Sequence, residues 1–196
     1  MKRSPLLLLV LMTVLLVGSQ AQAQSSFGMS WSLTVPTGNT KDFNKSMSFR
    51  GFNFEYRDIQ STSWGWGINA GYNVFADDYT DTYNRDNFAI TGLRSHYINT
   101  VPIYAAAYKY FGNSRKNGRW YVGLNGGTAW LEQRVTLGLY ELKEDNWHLS
   151  VAPEVGYHLP WDSFIGHISA RYVMVNSAGN TDTQSWFEFR IGFGLD

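Results

Sequence analysis

The chain has no cysteine among its 196 residues, so neither a disulfide framework nor a lipid-modified cysteine is open to it. Charge is scarce as well: 16% of residues are charged, against roughly 25% in soluble globular domains. Its 16 basic and 16 acidic residues cancel, which excludes nucleic acid as a partner, because phosphate binding needs a basic excess. After the first residues no apolar run approaches the roughly 20 positions that a transmembrane helix requires. There is no zinc-type cluster of His and Cys, and no glycine-rich loop that leads from a strand into a helix. The residues therefore assign no catalytic group, no cofactor and no metal.

What is present begins with Met1-Lys2-Arg3, an apolar run from Leu6 to Val17, and small residues closing on Ala21-Gln22-Ala23. A charged start, a short apolar core and an A-x-A site define a cleavable secretory signal. The sequence thus predicts a signal peptide over residues 1–23 and one domain over 24–196. That domain is rich in aromatics (16%) and carries most of the 19 glycines.

Period-two alternation recurs along the whole domain, and no stretch shows helical spacing. Trp64, Trp66, Ile68, Ala70, Tyr72 and Val74 alternate with Gly65, Gly67, Asn69, Gly71 and Asn73. Phe27, Met29, Trp31, Leu33 and Val35 share one face of an earlier run, and Phe52, Phe54 and Tyr56 one face of the next. Further runs start at Tyr97, Trp120, His148, His167 and Phe187, which makes eight. The run from Tyr97 to Tyr110 is apolar on both faces, and Pro102 and Pro153 each demand an edge or a bulge. Long connections after the odd-numbered runs alternate with short ones after the even-numbered runs. An even strand number with that rhythm predicts an all-β, eight-stranded, antiparallel up-and-down transmembrane β-barrel.

A soluble barrel with an apolar cavity would show the same alternation, but its polar face would carry long charged side chains. Here that face is mostly Gly, Asn and Ser, as a narrow interior requires. The charges it does carry, Glu55, Arg57, Lys109, Glu154, Arg171, Glu188 and Arg190, are expected in the lumen as mutually neutralising pairs. Trp64, Trp66, Trp120 and Trp161 are expected at one membrane interface, and Tyr72, Trp130, Trp147 and Tyr172 toward the other.

In this architecture, in VPIYAAAYKYF followed by RWYVGLNGG, and in the closing FEFRIGFGL, the chain resembles the OmpA-like and PorT-type outer-membrane barrels of Gram-negative bacteria. The resemblance spans Phe27 to Leu195 and implies an outer-membrane location and a largely structural or interaction role for the loops. It also implies contact with outer-membrane lipid and lipopolysaccharide, and a monomer handled by the barrel-assembly machinery. The closing strand is similar to the signal that machinery reads, with Leu195-Asp196 where an aromatic usually ends it. A protein partner on either side of the membrane is a further expectation, and an accessory barrel of a secretion or motility machine is an alternative to the structural role.

His167-Ile168-Ser169 matches the His-x-Ser pair of the lipid A deacylase barrels, with Ala170 where those enzymes carry asparagine. A lipid A-modifying membrane enzyme is a second alternative, ranked below the accessory barrel. Asp77, Asp78, Asp81 and Asp86 crowd one connection without the spacing of a calcium loop.

Overall fold

The computed structural model describes residues 24–59, 63–85, 88–112, 118–137, 140–161 and 164–195, with the side chains of 24, 80–94, 137 and 140 left out. The expected signal peptide lies outside the described residues. Eight strands follow in chain order: β1 Gln24–Thr37, β2 Ser48–Ile59, β3 Trp64–Arg85, β4 Phe88–Phe111, β5 Arg119–Leu137, β6 Tyr140–Pro160, β7 Phe164–Val175 and β8 Gln184–Leu195. Among the described residues one helix, α1, spans Gly38–Phe43 between β1 and β2. Each strand pairs antiparallel with its sequence neighbour, and β1 pairs with β8 from Phe27↔Leu195 to Thr37↔Ser185, which closes the sheet. Closure leaves no unpaired edge around the wall.

Strand faces fall as the alternation predicts. Ser26, Ser30, Ser32, Asn53, Glu55, Arg57, Asn69 and Asn73 point inward and are buried, while Phe27, Met29, Trp31, Phe52, Phe54 and Ile68 are exposed on the outside. In β4 the even positions turn inward, so Tyr104, Tyr108 and Tyr110 are interior and Ile103 is outward. Both of its faces read as apolar because tyrosine is apolar over most of its ring, and only its hydroxyl needs a polar partner.

Neither proline sits at an edge or a bulge. The β3–β4 ladder skips from Ala70↔Ile103 to Asn73↔Thr100 without changing register, and β6–β7 skips from Val151↔Met174 to Glu154↔Arg171 in the same way. Each gap falls where Pro102 or Pro153 has no N–H to give, so a missing rung accommodates the ring. The one-residue register shift lies elsewhere, between Ser32 and Thr34 in the β1–β2 pair.

The outer connections differ from expectation. The sequence predicts a connection over 77–87, yet β3 continues to Arg85 and pairs residue by residue with β4 from Phe88 onward. Likewise β5 and β6 run on as a hairpin to Leu137↔Tyr140, and β4 stays paired with β5 up to Arg94↔Leu137. In the sequence these extensions place polar residues at both odd and even positions, so there is no hydrophobic period to read. The short connections, between β2 and β3, β4 and β5, and β6 and β7, gather at the opposite rim, here called the lower rim.

Candidate functional site

The interior is layered. Near the lower rim Ile59, Ala106, Tyr108, Tyr110 and Tyr121 pack together. Glycine makes room for these rings: a Cβ on Gly123 would lie 2.7 Å from the Tyr108 ring, and one on Gly156 would meet Tyr121 at 2.5 Å. Tyrosine on one strand thus lies over glycine on the next, which lets large rings share a narrow lumen.

Above the rings sits an ionic layer. The Arg57 guanidinium reaches Glu55 at 3.0 Å and Glu154 at 3.4 Å. It also donates to Tyr121 Oη at 3.0 Å and to His158 Nε2 at 3.0 Å, and lies 4.3 Å above the centre of the Tyr108 ring. Arg190 pairs with Glu154 and, at 3.5 Å, with Glu55, and its Nε donates to Ser169 Oγ. Higher still, Arg171 donates twice to Glu188, each time at 3.0 Å, and once each to Asn69 and Asn53. Asn69 donates to Asn125, and Asn125 to Glu154, so the two ionic clusters form one hydrogen-bonded network. Three glutamates meet three arginines, all buried. A buried charge is tolerated only when neutralised and hydrogen-bonded, and here every one is.

An apolar layer covers the network toward the long hairpins. Phe75, Ile98, Leu131, Val173, Val175 and Trp186 form it, and Phe43 at the end of α1 packs against it. The helix is pinned there: Thr40 Oγ1 donates to Gln184 at 2.8 Å and accepts the Ser185 N–H at 2.9 Å. His96 Nδ1 donates to the Phe43 carbonyl at 2.7 Å.

Outside, the polarity is reversed. Phe27, Phe54, Leu124, Leu149, Ile168, Ile191 and Phe193 are among the many large apolar side chains left exposed around the wall. An apolar belt of this extent around a polar, charged interior suits hydrocarbon as the surrounding medium and excludes the soluble-barrel arrangement. Comparison with models of protein families finds no match, nor does any curated protein match. Among solved structures, Neisserial surface protein A is 10% identical, with 88% of this chain and 97% of that chain covered and a TM-score of 0.54. Ail of Yersinia pestis is 15% identical (88% and 96% covered, TM-score 0.49). The N-terminal barrel domain of Pseudomonas aeruginosa OprF is 10% identical (89% and 100% covered, TM-score 0.47). The fold is that of a small outer-membrane β-barrel.

Six of the seven charges expected in the lumen, Glu55, Arg57, Glu154, Arg171, Glu188 and Arg190, are there and buried. Lys109 is not. It follows Tyr108 on β4, so when the tyrosines turn inward the lysine turns outward, and its ammonium lies 4.6 Å above the Trp64 ring. Reading the sequence did not place His158, Asn53, Asn69, Asn125 or the tyrosines in the network. Asn and Tyr on inward positions of glycine-bearing strands were the available signal. Trp64, Trp66, Trp120 and Trp161 are exposed toward the lower rim, and Tyr72, Trp130, Trp147 and Tyr172 occupy outward positions toward the other.

His167 and Ser169 both point into the barrel, at 3% and 4% exposure, and the serine hydroxyl accepts from Arg190. They therefore face away from the lipid. Asp77 accepts from Tyr79 Oη at 2.8 Å and from the Lys45 N–H at 3.0 Å, which ties β3 to the connection after α1. Asp86 and the Asp81 side chain lie outside the described residues.

Beyond Trp130 and Trp147, the outer surface of β5 and β6 becomes ionic. Glu132 is held by Arg134 and Lys143, both at 2.9 Å, and by Asn99 at 3.1 Å, and Arg134 also reaches Glu141 at 3.2 Å. Burial works against ionising Glu132, but the hydrogen bonds from Lys143, Asn99 and Arg134 outweigh it and hold the carboxyl below its usual range. Immediately beyond an aromatic pair, such a cluster belongs in water, at the upper boundary of the apolar belt.

Proposed function

We propose that this protein is a monomeric barrel of the bacterial outer membrane, delivered by a cleaved signal peptide. In this reading it acts through its outer hairpins as a structural or interaction element, and neither conducts solutes nor catalyses a reaction. The observation that carries the closed-lumen reading is the stack of rings, paired charges and apolar cap inside an eight-stranded wall. Barrels of that size have an interior just wide enough for side chains to fill. The non-catalytic reading is supported by the inward position of His167 and Ser169.

The hairpins supply the surface for a partner. From Phe75 to Arg85, β3 extends on the order of 30 Å along the strand at about 3.4 Å per residue. Its pairing with β4, and that of β4 with β5 and β5 with β6, makes one four-stranded blade above the wall. The long hairpins lie outside the cell in this orientation and the lower rim faces the periplasm. Lipid and lipopolysaccharide surround the wall, and the barrel-assembly machinery inserts it.

Planar-bilayer recording from the purified monomer tests the closed lumen: no stable current comparable to a general porin is expected. Large, reproducible, ion-selective currents would overturn it. A tagged chain that captured components of a secretion or motility assembly from the envelope would move it to an accessory role.

A further inference from the structure

A groove of about 740 Å³ crosses the outer wall. It runs along the hydrogen-bonding direction between two cross-strand rows of side chains. One row is Leu33, Phe189, Ala170 and Val155, set by the pairs Leu33↔Phe189, Phe189↔Ala170 and Ala170↔Val155. The row below it ends in Tyr157 and Trp120. Ala170 is the small residue of this surface and forms the floor, while Trp31 and Trp120 stand at the two ends.

The groove slopes. Leu33 lies well inside β1, whereas Trp120 is next to the start of β5 at the lower rim. It spans five neighbouring strands, β1, β8, β7, β6 and β5, or about 19 Å at roughly 4.8 Å per strand spacing. A bilayer core of about 30 Å gives each leaflet about 15 Å, so an inclined groove of this length takes a chain through one leaflet, from mid-membrane to the lower interface.

The upper row does not stop at Val155. Through Val155↔Val122 and Val122↔Lys109 it leads to Lys109 on β4. Among the described residues Lys109 is the one cation on the outer face near the lower rim, and no carboxylate lies within ion-pair distance of it. Its ammonium rests on the face of Trp64. An apolar channel that leads to an ammonium with no carboxylate partner among the described residues, at interfacial depth, matches an amphiphile with a long chain and an anionic head.

We propose that the groove is a binding site for one glycerophospholipid of the inner leaflet, with an acyl chain over Ala170 and its phosphate on Lys109. The proposal rests on the orientation given above, since the lower rim must face the periplasm for the leaflet to be the inner one.

The test uses the mature barrel reconstituted with phosphatidylethanolamine and phosphatidylglycerol, exchanged into mild detergent and weighed intact by native mass spectrometry. Each variant is first checked for the folded barrel by its heat-dependent gel shift. The wild type is expected to retain one phosphatidylglycerol. Ala170→Trp, which fills the groove, should cut retention about tenfold, whereas Ala105→Trp on the outer face of β4 should not. Lys109→Gln should abolish the preference for phosphatidylglycerol over a diacylglycerol with the same chains, and Lys109→Arg should restore it. Equal retention in the two tryptophan variants, an unchanged headgroup preference in Lys109→Gln, displacement of phospholipid by lipopolysaccharide, or a second barrel seated on the groove would each overturn the proposal. Orientation is read separately: Ser25→Cys, the sole thiol in a cysteine-free chain, should resist an impermeant maleimide in intact cells. Labelling there would refute the orientation whatever the lipid count, and protection with no retained lipid would refute the lipid site alone.

Discussion

Arg171→Ala is the most direct probe of how the interior is held. In the native barrel Arg171 and Glu188 pair with side-chain exposures of 0% and 0%. The guanidinium makes two hydrogen bonds to the carboxylate and one each to Asn53 and Asn69. Truncation removes all four and leaves Glu188 with the single hydrogen bond from Asn53 Nδ2 at 2.8 Å. A buried carboxylate stripped of its cation in this way costs about 3–5 kcal/mol. Removing the acid too, in Arg171→Ala with Glu188→Ala, relieves that charge, so the double variant should regain about 2 kcal/mol over Arg171→Ala alone. Reversible guanidinium unfolding in lipid vesicles gives the stabilities, and bilayer recording of the same variants reports any opened path. A loss under about 1 kcal/mol for Arg171→Ala, the range of exposed pairs, would mean that water reaches the pair, and the closed interior would be refuted with it.

Two further outcomes follow from individual contacts. Gly71→Arg should fail to assemble, because a Cβ at that position already runs into the Asn53 carboxamide and overpacking has nowhere to relax. Asp81→Ala should assemble normally, and wild-type yields of folded Gly71→Arg, read by the gel shift, would show the facing of β3 to be wrong. The third concerns acid. Glu132 has a lowered pKa in the folded chain, so its contribution is present above the ordinary glutamate value of about 4.3 and fades as pH falls through its lower folded value. Hydrogen exchange should therefore show the β5–β6 hairpin loosening below about pH 4 in the wild type, and a Glu132→Gln hairpin that is already loose at neutral pH and indifferent to acid. An identical acid response in that variant would assign the effect to another group.

The sequence by itself determined the strand number, the closed antiparallel order and the facing of seven strands. One side of a barrel wall meets lipid and the other a crowded polar lumen, and that contrast writes period two into the chain. It also marked Glu55, Arg57, Glu154, Arg171, Glu188 and Arg190 as interior, since a charge facing the middle of the hydrocarbon is costly, whereas one at the interface is tolerated. Only the tertiary structure decided the rest. The facing of β4 depended on tyrosines packing over glycines of neighbouring strands, a contact between residues far apart in sequence, and Lys109 went outward as its consequence. The height of the hairpins was invisible because their sequence places polar residues at odd and even positions alike, which leaves no period of two to read. The groove over Ala170 exists because residues from five strands come into line across the sheet, and that alignment is a property of register, which no single segment contains.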